Sequence, residues 1–152
     1  MQRSDHLVVP ALGPLYASLS DFAWPLVRVM FGFFFPYYGC QKLFGWFGGN
    51  IAGTMKAMAS IGLEPAAFWA YYTGTLELVG GALLIVGLFT RPVAVLMACF
   101  MFMGTFFVHW QFGYSWIQRG FSVPLLLLVL SLAFVIRGGG EYSLDRALGR
   151  EI

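Results

Sequence analysis

The sequence predicts an all-α polytopic membrane protein: a four-transmembrane-helix bundle with a short interfacial helix between spans 1 and 2. Two observations carry this. Of 152 residues, 59% are hydrophobic and only 11% charged, whereas a soluble domain carries about 25% charged residues. The apolar residues also gather into four long segments separated by polar or glycine-rich breaks. A soluble globule this small cannot bury so much apolar surface, so lipid covers part of it. Inside lipid an open strand has no hydrogen-bond partners, which leaves helices.

The four segments run over residues 22–44, 66–89, 92–110 and 121–136, each approaching the roughly 20 residues that span about 30 Å of hydrocarbon. Residues 1–21 form an N-terminal cytoplasmic or interfacial segment. Its prolines and polar breaks leave no continuous apolar stretch of the signal-peptide kind. The turn 45–51 is rich in glycine and aromatics. After it, Thr54–Ser60 has Met55 and Met58 on one side and Lys56 on another, which predicts a helix lying at the interface. Pro92, in the tight Thr90-Arg91-Pro92 connection, suits a first helical position. The aromatic stretch 109–121 places Trp110, Tyr114 and Trp116 as an interfacial belt. Residues 138–152 are a glycine-rich stop and a short tail, helical from Ser143.

With four spans, both termini and the middle loop share a side. That side holds Arg3, Arg28, Arg91, Arg137, Arg146 and Arg150; the other holds Lys42, Lys56 and Arg119. The positive-inside rule then places both termini in the cytoplasm.

Several function classes drop out. The net charge of +2 and the lack of any basic run argue against nucleic acid. No metal-ligand spacing, haem motif, flavin fingerprint or phosphate loop is present. Cys40 and Cys99 are far apart in sequence and read as small buried hydrophobes rather than a redox pair.

Chemistry is concentrated in three residues. Glu77 is the only group that ionises near neutral pH inside the apolar run 65–90. A lone carboxylate in lipid costs about 2.5–3.5 kcal/mol on insertion scales, so it faces a bundle interior, finds a partner or takes up a proton. At about 1.5 Å per residue, Glu77 lies about 21 Å from Arg91, Lys42 about 21 Å from Arg28 and His109 about 27 Å from Arg91. The three therefore share a depth. Their faces agree: Arg28, Gly32, Phe35, Gly39 and Lys42 form one stripe, Ala70, Gly74, Glu77 and Gly81 a second, Ala98, Phe102, Thr105 and His109 a third. Ser131 is the clear polar residue of the fourth span.

Two readings of this patch fit the residues. Glu77 is a structural carboxylate bonded to Lys42, Tyr72 or Thr73, fixing helix register. Alternatively, Lys42, Glu77 and His109 are catalytic, with Lys42 and His109 donating to the oxygens of a flat ligand such as a quinone and Glu77 exchanging protons. Phe35, Phe102, Thr105 and Phe106, with Phe107, would then wall the cofactor. No metal is called for, and electrons would come from a protein partner. Apart from the lipid bilayer, the competing partner is a larger membrane complex in which the chain is a non-catalytic accessory or scaffold subunit. A solute or proton carrier is a third class, for which four helices offer little room.

Specific strings carry a resemblance. Residues 28–33 (RVMFGF), 39–45 (GCQKLFG), 76–92 (LELVGGALLIVGLFTRP), the histidine ending the third span and 138–146 (GGGEYSLDR) together resemble the DoxX family of small bacterial membrane proteins. The likeness covers about residues 22–148; the aromatic loop 110–116 departs from it. It implies a four-helix protein of the bacterial inner membrane. Some members look like the quinone-reducing membrane subunit of a thiosulfate:quinone oxidoreductase, and others are linked to redox homeostasis.

Overall fold

A computed structural model describes residues 7–149; the expectations placed on Arg3 and Arg150 lie outside them. The described residues are all-helical, with no strand. Helix α1 covers Gly13–Phe44, α2 Ile51–Ser60, α3 Ala66–Val86, α4 Thr90–Phe112, α5 Ser122–Arg137 and α6 Leu144–Ala147. The helices α3 and α4 are long and apolar enough to cross a membrane, and α5 is a shorter apolar helix.

Local chemistry sets the ends. A proline sits in the first turn of α1, where its missing N–H costs nothing. The helix therefore starts nine residues before the apolar segment marked in the sequence (22 − 13). Asn50 caps α2, its side chain accepting from Gly53 N at 2.6 Å. Ser143 does the same for α6, accepting from Arg146 N at 3.2 Å. Two longer helices stop at left-handed glycines, Gly45 (φ 70°) and Gly87 (φ 73°). The aromatic loop closes on itself through Phe121 N to Gly113 O and Ser122 N to Tyr114 O.

The bundle is two intimate helix pairs, α1 with α3 and α4 with α5. Glycines make the first pair possible. A Cβ on Gly39 would lie 2.6 Å from Leu78 N, and one on Gly32 would lie 2.8 Å from Ile85 N and 2.9 Å from Gly81 O. Small residues of this kind let membrane helices meet backbone to backbone. Between the pairs lies a core that includes Phe31, Phe35, Leu84, Met97, Met101, Leu127 and Phe134. Many large apolar side chains point outward, among them Phe33 (68% exposed), Leu126 and Ile136, as a lipid-facing surface requires.

The residues after α5 fold back as a latch. Arg28, 2% exposed, donates to the carbonyls of Gly139 and Tyr142, and Trp24 Nε1 donates to Gly138 O at 2.9 Å. Asp145 accepts from Phe89 N at 2.7 Å and Thr90 N at 2.9 Å, while its own N–H donates to Gly87 O at 2.9 Å. The carboxylate thus caps the start of α4 from 55 residues away in sequence. It also offsets the left-handed conformation of Phe89 (φ 51°), which costs a non-glycine residue about 1–2 kcal/mol. Arg28, read from sequence as a topology marker, is a buried tether for the tail.

Two substitutions test these contacts by thermal unfolding in detergent. Asp145→Ala removes a helix cap and should destabilise by about 1–2 kcal/mol. Gly39→Leu drives a side chain into the Leu78 backbone and should cost about 1–3 kcal/mol or more by overpacking.

Candidate functional site

A cleft of about 280 Å³ is lined by residues of α1, α3, α4 and α5, with Met58 of α2 also in its wall. Lys42, Glu77 and His109 all line it. Lys42 Nζ donates to Glu77 Oε1 at 2.5 Å. Glu77 is 4% exposed, and its other oxygen, Oε2, is buried without a hydrogen-bond partner. Lys42 Nζ also sits 5.4 Å from the centroid of the Phe100 ring, a distance at which the ring face attracts a cation.

His109 enters from the opposite pair. Its Nδ1 lies 2.5 Å from Arg119 O, which fixes that nitrogen as the protonated one, because a carbonyl only accepts. Nε2 is the ring nitrogen left free of that bond. The ring packs against Trp116, centroids 5.5 Å apart, so the aromatic loop orients it.

Both residues occupy turns of π-helix, Glu77 in Leu76–Gly80 and His109 in Gly104–His109. Such turns insert one residue into the helical repeat, re-aim the side chains beyond them and recur at functional sites. Here they swing a carboxylate and an imidazole into one cleft.

The apolar walls differ from the sequence expectation at four positions. Phe35 lines the cleft, 1% exposed. Phe102, Phe106 and Phe107 do not: all three are exposed, and Phe102 and Phe106 pack on each other at 4.8 Å. Thr105 is fully buried, but its hydroxyl donates to Met101 O at 2.7 Å within α4 and does not reach the cleft. The physical reason is helical phase. Unbroken 3.6-residue spacing carried the stripe through Phe102, while the face turned to the cleft is Phe100, Met101, Gly104 and Val108.

Phe34, Tyr38, Trp116 and Leu127 also line the site; no sequence signal marked the first two, and Trp116 read only as interfacial. Of the remaining polar residues, Thr73 donates to Ala70 O and Ser131 to Leu127 O, each within its own helix. Cys40 and Cys99 are free thiols, but neither is the buried hydrophobe the sequence suggested: Cys40 is half-buried and Cys99 exposed. Among the described residues no cluster of His, Cys, Asp or Glu is disposed to hold a metal ion.

A helical fold with a lipid-facing surface and an ion pair buried between spans defines a small membrane protein with a polar interior site. Comparison with known proteins makes this specific. The DoxX family profile matches residues 23–110, and the chain belongs to that family. It is 32% identical to the Bacillus subtilis protein named "Putative oxidoreductase CatD", over 79% of this chain and 82% of that one. It is 28% identical to Escherichia coli inner membrane protein YqjF, over 88% and 98% of the two chains. With E. coli inner membrane protein YphA the identity is 30%, over 90% and 92%. No solved structure matches the chain.

The ion pair is testable by a double-mutant cycle in detergent unfolding. Lys42→Met strands the Glu77 carboxylate and should cost about 3–5 kcal/mol, whereas Lys42→Met combined with Glu77→Leu should recover most of that loss. Additive single effects would show that the two groups are not coupled.

Proposed function

We propose that the chain is a four-span inner-membrane protein with both termini cytoplasmic, acting as the quinone-interacting subunit of an oxidoreductase system that receives its electrons from a protein partner. The observation that supports this most is Glu77, whose Oε2 is a buried acceptor without a donor, in the lining of a cleft that it shares with Lys42, His109 and the apolar Phe34, Phe35, Phe100 and Leu127. Ligand sites commonly combine apolar walls with a few convergent polar groups. The name of the B. subtilis relative adds to the redox reading.

A quinone, when bound, supplies a two-electron, two-proton acceptor. The chain's own residues match its needs. Lys42 has donors beyond the one given to Glu77 and can offer them to a carbonyl oxygen. Glu77 Oε2 can accept from a hydroxyl of the reduced form. His109, with Nδ1 held by Arg119 O, presents Nε2 for proton exchange. Glu77 and His109 stand on opposite helix pairs, so a flat ring between them meets a polar group on each side.

A second reading has its own support. Lys42 is already committed to Glu77 at 2.5 Å, and a pair of this kind can serve only to hold α1 and α3 in register. The protein would then be an accessory subunit of a larger membrane complex.

Titration in lipid nanodiscs separates the two. Wild type should bind a short-chain quinol saturably, and Glu77→Gln should weaken that binding about ten-fold, equivalent to ~1.4 kcal/mol, with less effect on the oxidised form. Absence of saturable binding, or equal quinol binding by Glu77→Gln, would reject the redox reading. For the topology, reporter domains fused after residue 149 and inserted at residues 48 and 114 should report opposite sides: cytoplasmic for the first, periplasmic for the other two.

A further inference from the structure

A second cavity, of about 420 Å³, lies beside the cleft between α2, α3 and α4. Its wall includes Leu63, Trp69, Leu96, Cys99 and Met103. Four residues line both spaces: Met58, Phe100, Gly104 and Val108. The two are therefore neighbouring chambers with a shared partition, and Gly104 is its thin point. A Cβ built there would meet nothing within 4 Å, so the partition has a gap where any other residue would place a side chain. The chambers differ in chemistry. The first holds Lys42, Glu77 and His109. The second has no charged residue on its wall, and the hydroxyl of Thr73, which also borders it, is satisfied by Ala70 O at 3.1 Å.

The ten-residue helix α2 has no buried residue and contributes Met58 to the wall of each chamber. An unbranched thioether side chain adapts its shape readily to irregular apolar ligands. A chamber carrying Lys42, Glu77 and His109, which shares Met58, Phe100, Gly104 and Val108 with a larger apolar one, suits a molecule with two unlike ends.

We propose that the two chambers form one site for an amphiphile, with a carbonyl-bearing ring beside Lys42, Glu77 and His109 and an isoprenoid tail running past Gly104 into the chamber bounded by Leu96, Trp69 and Met103. This rests on the quinone reading for the ring and adds the chain length and route of the ligand. Lipid acyl chains share the tail's apolar chemistry. Because they are as apolar as the chamber wall, the tail is held by close packing rather than by leaving water.

The experiment uses the full chain in phosphatidylcholine nanodiscs, titrated with a tail-less methylated benzoquinone and with analogues bearing isoprenoid tails of increasing length. Wild type should bind the tailed compounds more tightly than the tail-less one, on the order of ten-fold, as dispersion contacts accumulate. Leu96→Trp, at an exposed wall position of the second chamber, should bind the tail-less compound like wild type and lose the gain from the tail. Met103→Trp, on the same chamber, serves as the second variant if Leu96→Trp folds poorly. If tail length brings wild type no gain, nanodisc lipid fills the chamber equally well and the proposal is overturned. It is also overturned if tailed compounds bind both variants as tightly as wild type. If even the tail-less ring fails to bind wild type, the quinone reading falls and the tail site falls with it; loss of the tail effect alone leaves the ring site standing.

Discussion

The approach of α1 to α3 is the constraint on which the rest of the molecule depends. Gly32, Gly39 and Gly81 leave no room for a Cβ at the crossing. Because the backbones meet there, Lys42 on one helix reaches Glu77 on the other at 2.5 Å. A carboxylate in a membrane interior requires such a partner. Wider spacing would leave Glu77 unpaired and draw in water or a proton. The glycines therefore determine whether a charged group can reside in the span at all, and the ion pair in turn leaves one oxygen of a cleft-lining carboxylate without a donor.

The second helix pair contributes by irregularity rather than by closeness. Two of the three candidate residues sit where the α-helical ladder is interrupted, Glu77 in one π-turn and His109 in another. A π-turn forgoes ideal hydrogen bonding. Two of them aimed at one cleft, on helices belonging to different pairs, mean that the protein gives up local regularity to bring a carboxylate and an imidazole to the same ligand-sized space. The aromatic loop completes the arrangement by holding His109 through Arg119 O and Trp116.

Much of this was legible in the residues. The stripe from Arg28 to Lys42 and the stripe from Ala70 to Gly81 mark faces that are buried in the structure, because both follow regular helical spacing up to Glu77. Counting along the helices placed Lys42, Glu77 and His109 near one another because the rise per residue along each axis is nearly constant, and the three do line one cleft. Phe102, Phe106 and Thr105 were out of reach: their assignment needed the phase of α4 relative to its neighbours, and nothing in a run of apolar residues announces that phase or the π-turn beyond it. The tail was also opaque in physical terms. Asp145 looks like an ordinary residue of a short polar helix, and only the folded chain shows that its carboxylate lies at the N–H groups of Phe89 and Thr90.

That tail contact bears on the order in which the chain is assembled. Asp145 lies beyond every helix of the bundle in sequence, and synthesis proceeds from the N-terminus. When α3 and α4 enter the bilayer, the turn between them carries two uncapped N–H groups and a strained Phe89, and Arg28 has no carbonyls to hold. All of these are satisfied together, when the segment from Gly138 to Asp145 emerges and folds back. The helices can insert one by one, but the end of the bundle that carries this turn is fully packed only once Gly138–Asp145 has folded back, so packing there depends on one carboxylate and one guanidinium.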